Sequence, residues 1–285
     1  MSIKTWIKKN TRSLAGKKIA ISGATGGLGR ELCLHVASLG GDLVLVVRNA
    51  KKSEELTREI KEKYPHVSVF TVQADMEDKD SVEKAADELI ALAIDILFLN
   101  AGAYNIPRHK TPEGYDNVFT INFLSPYRMA KLLLPHLRER GGKIIAVGSI
   151  AHRYSASDVH DIDFSTRKAS NLVYGNSKRY LMAALPALSE REGEITIVHP
   201  GITFTNITAH YPKLIFAIIK YPMKVIFMSP RRAALSLLAG AFVNCREDEW
   251  IGPRFFDIWG LPKKRKFKIP QNETERIRKF ADETL

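Results

Sequence analysis

Apolar positions along this chain follow two alternating rhythms. Continuous runs rich in Ile, Leu, Val and Phe recur at 18–22, 42–48, 67–73, 94–100, 142–149 and 194–199, with a last one near 250–257. Between them, at 27–40, 52–64, 78–92, 111–138 and 173–191, apolar residues return every three or four positions against a polar background. The first rhythm predicts strands and the second amphipathic helices. Runs such as LVLVV, IDILFL and KIIAV are apolar throughout, as expected where both faces of a sheet are covered. Strand–helix alternation of this kind predicts a single α/β domain, a doubly wound parallel sheet flanked by helices. In such sheets ligands sit beyond the carboxyl ends of the strands. Two stretches break the rhythm: a polar loop at 150–172, and residues 203–229, which hold an apolar helical run at 214–228 interrupted by Pro222. The chain divides into a basic extension at 1–16, the main domain at 17–260, and a basic, polar tail at 261–285 that ends in a surface helix.

The 285 residues, 45% hydrophobic and 26% charged, suit one domain with a full core. The two cysteines, Cys33 and Cys245, offer neither a disulfide framework nor a metal site, and a reducing, cytoplasmic setting is expected. The net charge of +12 is densest at the ends, at Lys4, Lys8, Lys9 and Lys263 to Lys266. It fits a solvated surface, or attraction to an anionic cofactor or membrane; no nucleic-acid motif accompanies it. Lys8 and Lys9 interrupt any apolar leader, and no apolar run reaches the ~18 residues of a membrane span.

The sharpest local signal is KIAISGATGGLGR, Lys18 to Arg30: an apolar strand, a glycine-rich turn, then a helix from about Gly27. A helix start offers free N–H groups and the positive end of a dipole, and glycines let an anion approach the backbone. Ser22, Gly23, Thr25, Gly26, Gly27, Leu28 and Gly29 are therefore the expected cofactor cradle. Their spacing, G-x-x-x-G-x-G, differs from the commoner G-x-G-x-x-G of Rossmann-type dinucleotide binders. The second strand ends without an acid, and Arg48 follows, which suits the 2′-phosphate of NADP(H) rather than the 2′-hydroxyl of NAD. Arg30 is a possible second cation. After the third strand, Asp75 can accept the adenine amino group or cap the next helix, and Met76 follows it. After the fourth, Asn100 can tie strands together, while Ala101 and Gly102 leave room for the adenine ribose.

Ser149 closes the fifth strand, and Tyr174 and Lys178 lie one turn apart on one helix face. A carbonyl that receives hydride needs a proton on its oxygen. A tyrosine can supply it, with a neighbouring ammonium expected to lower the phenol's pKa and a serine hydroxyl to hold the substrate oxygen.

In SGATGGLG, Asp75, LNAG at 99–102, Asn122, Ser149, Tyr174-x-x-x-Lys178 and His199-Pro200-Gly201, the chain resembles the short-chain dehydrogenase/reductase superfamily over 17–260. The resemblance implies a Rossmann-type fold and a catalytic tetrad of Asn122, Ser149, Tyr174 and Lys178. Tyr174 is then the acid/base and Lys178 holds the nicotinamide ribose. Asn122 holds a water that relays protons, and Pro200, Gly201, Thr203 and Thr205 line the nicotinamide and its phosphates. Ser22 and Leu99 stand where the family pattern has Thr and Asn. The 25-position separation of Ser149 and Tyr174, with Ser149-x-Ala151-His152, resembles the retinol dehydrogenase and protochlorophyllide reductase branch, which favours NADP and bulky apolar substrates.

The segment at 203–229 falls where that family carries a substrate cover. Its Lys213, Lys220 and Lys224 among apolar residues also suit a membrane interface or a subunit contact. Ile3, Trp6 and Ile7 are a further candidate for interfacial contact. The expected function is an NADP(H)-dependent oxidoreductase acting on a lipophilic carbonyl or alcohol, with a small-molecule substrate and no nucleic-acid partner. A homo-oligomer and peripheral membrane contact are further expectations. A non-catalytic dinucleotide sensor is the alternative, disfavoured by the Tyr/Lys pair, and an epimerase of the extended branch is disfavoured by the glycine spacing.

Overall fold

The computed structural model describes residues 1–202 and 228–285. The chain opens with helix α1 (Ile3–Asn10) and then alternates: β1 (Lys18–Ser22), α2 (Gly27–Ser38), β2 (Asp42–Val47), α3 (Ala50–Lys63), β3 (Val69–Gln73), α4 (Lys79–Ala91) and β4 (Ile96–Leu99). A short helix α5 (Asn117–Phe119), a π-helical segment (Thr120–Leu124) and α6 (Ser125–Glu139) lead to β5 (Lys143–Val147). Then come α7 (Ser170–Ala184), β6 (Ile195–Val198), α8 (Pro230–Gly240), β7 (Glu249–Phe255), β8 (Trp259–Lys266) and α9 (Gln271–Thr284).

The eight strands form one sheet in the order β3-β2-β1-β4-β5-β6-β7-β8. β8 pairs antiparallel with β7, and every other pairing is parallel. Successive side chains of the central strands β1, β2, β4 and β5 enter opposite cores. Ile19, Ile21, Leu43, Leu45 and Phe98 meet α2, α3 and α8 on one face. Ala20, Val44, Leu97 and Ile144 meet α4, α6, α7 and α9 on the other. The order reverses between β1 and β4, so the carboxyl ends of those strands flank an open crevice.

The structure departs from the sequence pattern in four places. Residues 111–116 are not helical: Gly114 turns at φ +85°, Lys110 bridges to Asp116, and Asp116 then caps α5 by accepting the N–H of Val118 at 2.9 Å. The catalytic-face helix begins earlier than expected, at Ser170, and tightens into a 3-10 turn at Leu185–Leu188 beside Pro186. Residues 259–266, read as the end of the domain and the start of a tail, form a full edge strand. The basic extension folds as α1, which buries Trp6 and packs half-buried Ile3 and Ile7 against the protein's own core. The expected cover at 203–227, with most of the apolar run at 214–228, lies outside the described residues. Of that run's end, Met228 is buried.

Candidate active site

At the first turn the polar side chains serve the backbone. The Ser22 hydroxyl accepts the N–H groups of Asn100 (2.9 Å) and Ala101 (3.0 Å), and the Asn100 amide donates to the Ser22 carbonyl at 2.8 Å. Ser22 is 1% exposed, and its hydroxyl ties β1 to β4 from within the cradle. Gly23 turns the chain at φ +65°, and a Cβ on it would stand 2.9 Å from the Ala101 Cα. A Cβ on Gly29 would stand 2.3 Å from the Gly23 carbonyl oxygen. Gly26 caps α2 without a side-chain bond, and Thr25, Gly26 and Gly27 are exposed, so the first-turn amides remain for an anion. Leu28, half-buried, packs on the core.

Beside this turn a hollow of about 280 Å³ is lined by Thr25, Arg30, Lys52 and Leu56, with Glu55 and Glu59. Arg30 is not the spare cation expected of it: it pairs with Glu31 at 2.8 Å and Glu59 at 2.5 Å. Arg48 is exposed at the end of β2, and no carboxylate among the described residues pairs with it. Asp75 accepts the N–H of Glu77 at 3.0 Å at the end of β3, while Asp78 caps α4. The Met76 side chain is in the core and its carbonyl accepts from Ser125, which leaves only its N–H for a ligand.

Gly102 joins the two ends of the crevice. It is exposed, and a Cβ there would meet Asn122 Oδ1 at 2.8 Å and Lys178 Nζ at 3.7 Å. Asn122 comes from the π-helical segment. Its amide donates to the carbonyls of Ala103 and Val118, each at 2.8 Å, and its oxygen accepts the Ala103 N–H at 3.2 Å. Lys178 is buried and donates to the Val147 carbonyl at 2.8 Å, which aims its ammonium along the end of β5. The same Nζ lies 5.8 Å from the centroid of the Tyr174 ring. Ser149 caps a 3-10 turn (Ile150–Arg153), and its side chain lies beside the Tyr174 phenol, whose charged form it favours. Tyr104 packs edge-on against Tyr174, with ring centroids 5.3 Å apart. The structure therefore brings Asn122, Ser149, Tyr174 and Lys178 together at one end of the crevice.

Their electrostatics correct one expectation. Burial pushes the Tyr174 phenol up to about 12, opposed by the Ser149 side chain and reinforced by Tyr104 and Tyr154. Burial alone pulls Lys178 down to about 7. Each charged form loses water, and in the protein alone that cost outweighs any help the ammonium gives the phenolate. The phenol is thus a proton donor held neutral, beside an amine that titrates near neutral pH.

Pro200 and Gly201 follow β6, with Gly201 at φ +81° and its Cα side closed off by Ile258, Pro253 and Met228. Thr203 and Thr205 lie outside the described residues. His199 stacks on Trp250 at 5.1 Å, and its imidazole is pushed down to about 3 by burial. Sequence reasoning passed over Tyr104, Arg179 and Glu273. Only Arg179, next to Lys178, had a local signal; Glu273 is 94 residues further on. Among the described residues no cluster of His, Cys, Asp and Glu could hold a metal, and no helix is long and apolar enough to cross a membrane. Cys33 and Cys245 are buried free thiols.

Known proteins resemble this chain in sequence and in fold. An uncharacterized oxidoreductase of Schizosaccharomyces pombe is 29% identical over 83% of the chain and 75% of its own length. Retinol dehydrogenase 12 of Mus musculus is 29% identical over 68% of the chain, a stretch that makes up 64% of the mouse protein and so falls short of two thirds of it. L-sorbose reductase of Gluconobacter frateurii, solved with NADPH and L-sorbose, superposes with a TM-score of 0.64 at 22% identity, covering 81% of this chain and 93% of that one. The family model for short chain dehydrogenases matches residues 17–213, which span both the glycine turn and the Ser149–Tyr174–Lys178 cluster, and the chain belongs to that family.

Proposed function

We propose that the protein is an NADP(H)-dependent oxidoreductase that interconverts a lipophilic carbonyl and its alcohol. The observation that carries this reading is the juxtaposition of Ser149, Tyr174 and Lys178, with the Lys178 ammonium held on the Val147 carbonyl 5.8 Å from the Tyr174 ring, at the end of a crevice whose other end is a glycine cradle. The residues present fit a dinucleotide. The uncapped start of α2 takes phosphate, bare Gly102 leaves space beside Lys178, and the ammonium has donors to spare beyond its bond to Val147. When bound, the nicotinamide supplies or accepts the hydride.

The chain's own groups move the proton. In reduction, Tyr174 donates its phenolic proton to the carbonyl oxygen as charge develops there, and the Ser149 hydroxyl hydrogen-bonds the same oxygen. Lys178, poised near neutral pH, favours the phenolate at that moment and can return a proton to it. Asn122, fixed by three hydrogen bonds to neighbouring backbone, borders the path away from Lys178. The rings of Tyr104 and Tyr154 beside Tyr174 favour an apolar substrate. Arg48, unpaired among the described residues, favours a 2′-phosphate, and the NADPH in the sorbose reductase supports the same reading, while the name of retinol dehydrogenase 12 supports a lipophilic substrate. A cover from 203–229 and peripheral membrane contact through 214–228 or the basic termini belong to this proposal, as does a cytoplasmic setting.

The test is turnover of retinal, steroid ketones and small aldehydes with NADPH and with NADH. Wild type is expected to prefer NADPH, Tyr174→Phe to lose turnover but keep the cofactor, and Arg48→Ala to weaken NADPH far more than NADH. NADPH bound with no turnover across the panel would favour a sensor, and a preference for NADH would overturn the role of Arg48.

A further inference from the structure

Helix α7 presents two adjoining faces. Tyr174 and Lys178 share one; Gly175 and Arg179, each one position further along, share the next. The Gly175–Arg179 face grips the turn that begins at Ser149. A Cβ on Gly175 would stand 2.5 Å from the Ala151 carbonyl oxygen, so helix and turn touch backbone to backbone there. One helical turn later, Arg179 donates from NH1 to the His152 carbonyl at 2.7 Å. His152 donates its backbone N–H to the Ser149 carbonyl at 3.1 Å, and its Nδ1 lies 2.7 Å from the same oxygen. Ser149 is thus the far end of a chain of contacts that starts at Arg179.

The remaining donors of Arg179 go to Glu273, in the first turn of α9. Nε meets Oε1 at 2.6 Å and NH2 bonds Oε2. Arg179 is 7% exposed and Glu273 3%. Glu273 also accepts the N–H of Ser157 at 2.5 Å, which pins the loop that follows the turn. Burial raises the Glu273 carboxyl, but the bonds from Arg179 and Ser157 more than offset this and hold it below its ordinary range, so it is charged. A guanidinium gripped on one edge by a carboxylate has its third nitrogen fixed in the same plane, and a lysine has no such fork. Buried ion pairs add little net stability over well-packed apolar residues; their best-attested use is to fix register.

We propose that Arg179 and Glu273 are positioning residues that hold the Ser149 turn against α7, so that the Ser149 hydroxyl meets the Tyr174 phenol. Helix α9 is then part of the site through Glu273. The role of this contact in turnover rests on the oxidoreductase reading; the contact itself does not.

The test keeps the two apart by reading Tyr174 directly. Ring-fluorinated tyrosine is placed at 174 in the full chain, and its ionisation is followed by fluorine NMR without substrate. Ser149→Ala sets the scale: losing the neighbouring hydroxyl that favours the phenolate moves the midpoint up. The double variant Arg179→Met/Glu273→Met removes both charges at once, leaves net charge unchanged and strands no buried ion. It is expected to move the midpoint up by about as much as Ser149→Ala does. Arg179→Lys keeps the charge and loses the fork, and is expected to give a smaller shift of the same sign. Where turnover is found, kcat is expected to fall about tenfold or more in the double variant with NADPH affinity unchanged. A midpoint equal to wild type in the folded double variant, or in Arg179→Lys should the double variant not fold, overturns the proposal. So does a lower melting temperature with an unmoved midpoint. Wild type without turnover would sink the oxidoreductase reading and leave the midpoint test standing.

Discussion

At the glycine turn, polar side chains are spent on the backbone: Ser22 and Asn100 tie β1 to β4, and the groups left facing the crevice are main-chain amides. At the other end the arrangement is inverted. The backbone carbonyls of Val147, His152 and Ser149 are taken up in holding Lys178, Arg179 and His152, and the groups left facing the crevice are the side chains of Ser149, Tyr174 and Lys178. Recognition of a phosphate tolerates almost any side chain but not a misplaced backbone. Proton transfer needs particular side chains at particular distances. Substitutions should therefore hurt the two ends for different reasons.

The comparison can be broken in four ways, taken from the largest effect to the smallest. Ser149→Ala is expected to cut kcat by roughly 10²–10³ with NADPH affinity unchanged, as steady-state kinetics and a fluorescence titration would show. A loss of cofactor affinity instead would mean that this end also binds through Ser149. Gly29→Ala puts a Cβ 2.3 Å from the Gly23 carbonyl oxygen, and the backbone must move. We expect NADPH affinity to fall at least ~10-fold and stability to fall by about 1–3 kcal/mol. Unchanged affinity would show that the amides do not carry binding. Ser22→Ala leaves the N–H groups of Asn100 and Ala101 without their partner, at a cost of about 1–3 kcal/mol by denaturant unfolding. In the protein that remains folded, NADPH affinity should change little; a large drop would mean that the hydroxyl also meets the cofactor.

The smallest effect concerns pH. With Lys178 pulled down to about 7 when folded but near 10.4 when unfolded, the unfolded chain binds more protons between those values. This group therefore makes the cofactor-free protein more stable as pH rises through that window. Lys178→Met should remove the penalty, raising the melting temperature by a few degrees at pH 6 and by less at pH 9. An equal gain at both would mean that the amine keeps its ordinary pKa.

The same contrast explains what could be read from the sequence. The glycine turn is legible because a backbone that must turn left-handed or pack without a Cβ marks itself with glycine, as at Gly23 and Gly29. Tyr174 and Lys178 are legible because one helix carries both at a fixed spacing. The bonds that Ser22 and Arg30 make could not be read from the sequence for one reason: a side chain's type shows what it can bond, not which neighbour reaches it first. Glu59 reaches Arg30 from the next helix. The π-helical segment that aims Asn122 leaves the apolar periodicity of α6 intact and so gives no warning. β8 was hidden by its own composition, since four consecutive basic residues, Lys263 to Lys266, read as a tail.

That strand has a consequence of a different kind. A sheet built this way ends in a row of unpaired amides and carbonyls, which is a template for fibrous growth when many copies are crowded together. Here the outermost strand carries Lys263, Lys264, Arg265 and Lys266, and its inner side is stitched down by Lys264 to Glu249 at 3.1 Å and Lys266 to Asp248 at 2.7 Å. A second molecule sliding up to this border meets like charge before it meets a hydrogen bond. The border thus works as a gatekeeper, and one whose protection should fade as added salt screens it.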